Sequence, residues 1–311
     1  MKKLVLIVLV LAGFLAGLTE LIPDEVADLG LRLERARGGM EYRTLRVGSE
    51  TWHYLERGPA DAETVLIIHG FGGSKDNWSR FARFVTDEYR VVVPDLPGFG
   101  ESARHPDWDY SLPAQRDRLH GFVEALGLET FHLLGVSMGG HLSALYTHRY
   151  PEQVVTLGML DNAGVMSPVA SDYLRALDAG ENPLLVDDTG DFDRLFDYIF
   201  HEEPFIPWPF RRVYAHRAVE QSTFNRIIFE SLRAESGSYR DPLEKLLPEI
   251  SQPVLIAWGE YDRIIDKSAI DVMRPLLPQA EVVILENTGH VPMLEKPEET
   301  ARHYQAFIDR Y

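Results

Sequence analysis

Cysteine is absent from all 311 residues, which excludes disulfide staples, thiolate nucleophiles, Cys-based zinc sites and a lipid-acylated cysteine in one step. Positive charge is also scarce. Against 48 acidic residues stand 31 Lys and Arg, for a net charge of −17. That balance excludes a nucleic-acid partner and docking on an anionic membrane through a polybasic patch. A neutral or cationic substrate fits it better. Nucleotide signatures are missing too: "PDLPGFGES" (Pro94–Ser102) is glycine-rich but carries neither a GK[ST] ending nor G-x-G-x-x-G. The acidic run "DDTGDFD" (Asp187–Asp193) lacks the full ligand set and closing Glu of a calcium loop and reads as a solvated loop. No cofactor and no metal is expected, and the chain shows no internal repeat or low-complexity tract.

What remains is 45 % apolar and 25 % charged, the composition of an ordinary globular enzyme with length enough for one large α/β domain and an insertion. The exception is the start, "MKKLVLIVLVLAGFLAGLTE", where two lysines precede an uncharged apolar run from Leu4 to Leu18. As a helix the run spans roughly 23 Å, short of the roughly 30 Å hydrocarbon core. Residues 1–20 therefore read as a membrane anchor or, alternatively, a cleaved signal segment. Lys2 and Lys3 before the run, against Glu20, Asp24, Glu25 and Asp28 after it, place the body outside the cytoplasm, anchored or released as a secreted or periplasmic protein.

After a linker or short helix (residues 21–40), "EYRTLRV" and "TWHYLER" alternate as two antiparallel strands across a Gly48-Ser49-Glu50 turn. The pattern then changes. "TVLIIHG", "RVVVPDLPG", "FHLLGVS", "VVTLGMLD", "PVLIAWGE" and "EVVILENTGH" are short β-branched apolar runs ending in Gly, Pro or polar residues, mostly separated by helical stretches. Such runs are buried strands of a mostly parallel sheet with crossover helices. The alternation stops between Asp161 and Pro253. There "FDRLFDYIF" and "FNRIIFESLRAE" have helical periodicity, so residues 164–245 read as an inserted helical cap between core segments 41–163 and 246–311.

Ligands of such a sheet sit beyond the carboxyl ends of its strands, and four of these ends carry chemistry. Ser137 lies in Gly135-Val136-Ser137-Met138-Gly139, a G-x-S-x-G pattern with a strand before it and a helix after it. That context marks a nucleophile elbow rather than a plain turn. A serine hydroxyl needs a base, and among 11 histidines His290 follows a strand, sits in a loop and comes last in chain order. The base needs an acid to orient it. Asp262, a few residues past the penultimate strand, is preferred over Asp161, Glu260 and Asp266. The fourth end, His69-Gly70-Phe71-Gly72-Gly73, suits an oxyanion hole, with Phe71 N–H and Met138 N–H as the donors. His69 is expected to orient that loop rather than to react. His141 and His148 fall on the helix after the elbow and have an ordinary helical explanation.

These motifs resemble those of the α/β-hydrolase fold superfamily, from about Glu50 to the C-terminus. More closely, "HGFGGSKDNW", "GVSMGGHLSALY", "AWGEYDRIID" and "ILENTGHVPMLEKP", behind an apolar N-terminal segment, are similar to membrane-anchored monoacylglycerol lipases and related bacterial lipases. The resemblance implies an α/β-hydrolase core, Ser137 as nucleophile, Asp262 and His290 as its partners, and Phe71 and Met138 as oxyanion donors. It also implies a small-molecule lipid or other ester as substrate. The same triad serves C–C bond hydrolases of ring-cleavage dienoates, which is the alternative enzymatic reading; a low-turnover binding protein on the same fold is another. Within the cap, "YIFHEEPFIPWPFRRVY" reads as lining of an apolar passage, as a surface resting on lipid, or as cap core.

Overall fold

The structure, a computed structural model, describes residues 21–236 and 243–311, together with Gly13 and Gly17. Apart from those two glycines, the apolar run Leu4–Leu18 lies outside the described residues. No helix among the described residues is long and apolar enough to cross a membrane.

The strands are β1 (Glu41–Val47), β2 (Glu50–Arg57), β3 (Glu63–Ile68), β4 (Tyr89–Pro94), β5 (Phe131–Val136), β6 (Val154–Leu160), β7 (Val254–Gly259) and β8 (Glu281–Leu285). They form one sheet in the order β1-β2-β4-β3-β5-β6-β7-β8. β1 and β2 pair antiparallel, as does β2 with β4, and every other pairing is parallel. β3 to β7 coincide with apolar runs of the sequence because both their faces are covered. On β3, Val65 and Ile67 pack on one side against Phe81, Tyr304 and Phe307, while Leu66 and Ile68 pack on the other against Leu119, Phe122 and Tyr146. Alternation places successive side chains on opposite faces, so a strand buried on both is apolar throughout. Each such fully buried side chain contributes roughly 1.5–3 kcal/mol.

The longer helices are α1 (Pro23–Arg37), α2 (Leu112–Leu126), α3 (Met138–Arg149), α4 (Asp172–Asp178), α5 (Thr189–Ile199), α6 (Trp208–Ser236) and α7 (Pro297–Ile308). Between β6 and β7 the chain leaves the sheet, and α4, α5 and α6 stand there. The run Asp187–Asp193 is the start of α5: the Asp188 side chain accepts from the amides of Gly190 and Asp191, and Asp191 reciprocates as a capping box. Phe192, Phe196 and Phe200 with Ala215 form a separate small core within this insertion.

Of the two readings of residues 21–40, linker or helix, the chain takes the second. Proline opens α1 and Gly38 follows its last turn. The helix is tied to the body by Arg217 with Asp24 and Asp28, and by Arg35 with Asp76 at 2.6 Å and Glu101 at 3.1 Å. Glu101 also accepts from Lys75 Nζ at 2.9 Å and Tyr42 Oη at 3.0 Å. Burial pushes the Glu101 carboxyl up, but the bonds and charges of Lys75, Tyr42 and Arg35 outweigh it and bring the pKa from 4.5 down to about 2. A group depressed on folding adds stability that is fully present above its unfolded pKa and lost as pH falls through the folded one. Urea midpoints are therefore expected to fall between pH 4.5 and 2 more steeply in the native protein than in Glu101→Gln; equal slopes would contradict this role.

Candidate active site

The elbow is built first. Ser137 has φ 55° and ψ −120°, a conformation L-residues adopt only under constraint. Two groups impose it. Ser137 N–H donates to Leu160 C=O at 2.9 Å, and Ala163 N–H donates to Ser137 C=O at 3.0 Å, so the segment leaving β6 clamps the turn from both sides. Glycines allow the crowding: a Cβ on Gly135 would lie 2.2 Å from Gly139 C=O, and one on Gly139 would lie 2.5 Å from His69 C=O. The turn can form only where strand and helix approach without side chains between them.

The loop after β3 lies against the elbow, where a Cβ on Gly70 would sit 3.3 Å from Ser137 Cβ. His69 holds it. Leu96 N–H donates to His69 Nε2 at 3.0 Å, so the ring proton is on Nδ1, which donates to Gly70 C=O at 2.8 Å. Burial lowers its pKa and keeps the ring neutral, so it orients the loop as the sequence indicated. The amides of Phe71 and Met138 take no part in the loop or cap hydrogen bonds of the described residues. That of Met138 is at the N-terminus of α3, where helix amides are unpaired and favour negative charge.

Asp262 and His290 come together. His290 Nδ1 lies 2.8 Å from Asp262 Oδ2, and both residues are buried. Asp262 Oδ1 accepts from Ile264 N–H at 2.8 Å and Ile265 N–H at 3.0 Å, which fixes the carboxylate toward the imidazole. The histidine loop is docked on the end of β7: Tyr261 N–H donates to Thr288 C=O at 2.8 Å, and His290 N–H donates to Ile199 C=O at 2.8 Å at the end of α5. Ser137 Oγ forms no hydrogen bond with His290 in this state; such bonds commonly tighten only when substrate is bound.

Sequence reasoning did not single out Glu295. Its carboxylate accepts from the amides of Gly289, His201 and Glu202, at 2.6, 3.0 and 2.8 Å, and so joins the histidine loop to the insertion. Burial nonetheless pushes its pKa up. The remaining acids take other places. Glu260 receives Asn287 N–H at 3.1 Å, and Asp266 receives Ser268 N–H at 2.9 Å, as a residue preceding a helix does. Asp161 is wholly buried beside Asp262.

Ser137 opens onto a cavity of about 170 Å³. Phe71 and Met138 line it from the core, Leu174, Leu184 and Phe229 from the insertion, and Ile264 from the Asp262 turn. Among the described side chains of the stretch 198–214, none lines this cavity. Phe200, Ile206 and Tyr214 of that stretch pack in the insertion's own core, so for these residues the core reading holds, while Phe205 stands exposed. His141 does line the cavity, one helical turn after Ser137, and burial lowers its pKa to about 4. The i, i+4 spacing on one helix face is the signal that could have placed it there.

The serine turn, the buried Asp–His pair and the Phe71 and Met138 amides all stand at the carboxyl ends of one sheet. The description "alpha/beta hydrolase fold" matches residues 63–297. The chain belongs to the α/β-hydrolase family. Among solved structures, a membrane phospholipase A described as a bacterial virulence factor aligns at TM-score 0.90 and 45 % identity, covering 100 % of this chain and 99 % of the other. Lipase 1 of Psychrobacter immobilis is 35 % identical across 89 % of this chain and 87 % of its own. A monoacylglycerol lipase of Xenopus laevis is 31 % identical across 87 % and 82 % respectively. The insertion between β6 and β7 of this α/β-hydrolase supplies Leu174, Leu184 and Phe229 to the wall of the cavity beside Ser137.

Proposed function

We propose that this α/β-hydrolase cleaves carboxylic esters of lipids by a serine mechanism, with acylglycerols, monoacylglycerols first, as its substrate class. The observation that carries the reading is the buried Asp262–His290 pair, whose Asp262 turn lines, through Ile264 and Ile265, the same apolar cavity that has Ser137 at its wall. Ser137 Oγ attacks the ester carbonyl as His290 takes its proton, and the imidazolium then protonates the departing alcohol. Water attacks the acyl-enzyme with the same histidine as base. Asp262 steadies the imidazolium, and the Phe71 and Met138 amides receive the oxyanion, a contribution of about 3 kcal/mol per donor.

The likeness to a membrane phospholipase A over the full chain favours a second substrate, the acyl ester of a phospholipid. In this reading residues 164–245 are a cap whose apolar side chains receive the acyl chain. Residues 1–20 hold the enzyme at a membrane, with the catalytic domain outside the cytoplasm; the apolar run after Lys2 and Lys3 supports this. The test is release of fatty acid from monoolein and from dioleoylphosphatidylcholine, beside a ring-cleavage dienoate. Turnover of a glycerolipid supports the proposal, and turnover of the dienoate alone overturns it.

Filling the cavity tests the acyl assignment. Leu184→Trp is expected to lower kcat/KM for p-nitrophenyl palmitate at least about tenfold while leaving p-nitrophenyl butyrate within about twofold, because lost apolar contact costs about 0.8 kcal/mol per methylene. An equal effect on both esters would remove Leu184 from the acyl path.

A further inference from the structure

Asp161 has no part in the serine mechanism above, yet few side chains are more constrained. It is a non-glycine residue at φ 43°, fully buried, directly after β6. Its N–H donates to Ala257 C=O at 3.0 Å, and its Oδ1 accepts Gly259 N–H at 2.8 Å, so both backbone and side chain are fastened to β7. Its neighbours Leu160 and Ala163 are the residues that clamp Ser137. The other carboxyl oxygen, Oδ2, is buried and receives no N–H from any described residue. One carboxyl oxygen of Asp161, one of Asp262 and a ring nitrogen of His290 all lie within 4.8 Å of one another.

Two carboxyl groups this close and this dry do not both ionise. The hydrogen bonds decide which one carries the charge. Asp262 receives three N–H groups, from Ile264, Ile265 and His290, whereas Asp161 receives one. We propose that Asp161 is a positioning residue of the site: a neutral carboxylic acid whose proton, on Oδ2, is donated to Asp262, so that Asp161, Asp262 and His290 form one hydrogen-bonded chain. The titratable groups facing Asp161 are Asp262, His290 and Glu295; burial first and the two carboxyls after it raise its pKa, against the lowering effect of the Gly259 amide. The chain links the segment that shapes the elbow to the turn that carries the acid. The arrangement keeps a single negative charge behind the imidazole and moderates it with a hydrogen bond from the far side.

The proposal rests on the serine-hydrolase reading, but its first test does not depend on turnover. In enzyme labelled with ¹³C-aspartate, the infrared spectrum at pH 8 is expected to contain one isotope-shifted protonated-carboxyl stretch, since glutamates, Glu295 included, stay unlabelled. Absence of the band overturns the proposal, whether or not Ser137 is the nucleophile. The second test is the acid limb of kcat/KM on p-nitrophenyl butyrate. Asp161→Asn keeps a donor toward Asp262 and an acceptor for Gly259, so the limb should stay in place with kcat/KM within about threefold. Asp161→Ala removes the donor, leaves the Asp262 charge unmoderated and favours the protonated imidazole, so the limb should rise by about half a pH unit or more. If Asp161 were an anion, Asp161→Asn would remove a negative charge near the imidazole and lower the limb; that shift would overturn the proposal.

Discussion

Replacing Ser137 with alanine is expected to lower kcat on monoolein and on p-nitrophenyl butyrate by at least about 10⁴-fold, with KM little changed. The size follows from what is lost. No acyl-enzyme can form, and what remains is the contribution of binding and of the Phe71 and Met138 amides, which stabilise only charge that another nucleophile would have to generate. The fold should be indifferent. Ser137 Oγ makes no hydrogen bond to any described residue, and the backbone bonds that impose φ 55° on the turn, to Leu160 and from Ala163, are unaffected by the substitution. Thermal midpoints within about 1 °C of the native value are expected, a change well under 1 kcal/mol. A variant that retained more than about one per cent of native kcat would contradict the assignment.

The second large effect is on stability. Lys75, which opens the short 3-10 helix Lys75–Trp78 after the Gly70–Gly73 loop, is 1 % exposed, and its ammonium lies 2.7 Å from Asp95 Oδ2, a carboxylate that is itself wholly buried. Asp95 also accepts from Lys75 N–H at 2.7 Å and Glu101 N–H at 2.8 Å, and Gly100 wraps so closely around it that a Cβ there would lie 2.1 Å from its carboxyl. Burial works against the ammonium, yet Asp95, Asp76 and Glu101 outweigh it and hold the Lys75 pKa up. Lys75→Met removes the cation and leaves Asp95 as an uncompensated buried charge, which typically costs about 3–5 kcal/mol. Chemical denaturation is expected to read a loss of that order. Activity per folded molecule should fall as well, because Ser74 and Lys75 anchor the C-terminal end of the Gly70–Gly73 loop. A loss below about 1 kcal/mol would mean that this pair does not hold the loop.

The division between what was legible in the sequence and what was not follows from physics. β3 to β7 were readable because burial on both faces demands an uninterrupted apolar run that ends where Gly, Pro or a polar residue must turn the chain, and β1 and β2 because they alternate on either side of a Gly48 turn. The strand-end places of Ser137, Asp262 and His290, the candidate site, were readable for the same reason, since they follow such runs at the end of a parallel sheet where ligands sit. Lys75 was not. Within "GGSKDNW" a lysine looks solvent-bound, and only the approach of Asp95, twenty positions on, makes burial tolerable. The direction of the insertion's aromatics was equally hidden, since Phe192, Phe196 and Phe200 satisfy one another in a local core that periodicity cannot distinguish from a cavity wall. Asp161 was weighed only as a rival acid. Its packing against Asp262 depends on the pairing of β6 with β7, a long-range fact.

The most direct measurement of the central claim is covalent labelling by a fluorophosphonate, followed by peptide mass mapping. One stoichiometric adduct on the peptide containing Ser137 is expected, with labelling abolished in Ser137→Ala and strongly slowed in His290→Ala, where the hydroxyl has lost its base. Active protein that resists the probe, or carries the adduct on another residue, would contradict the account.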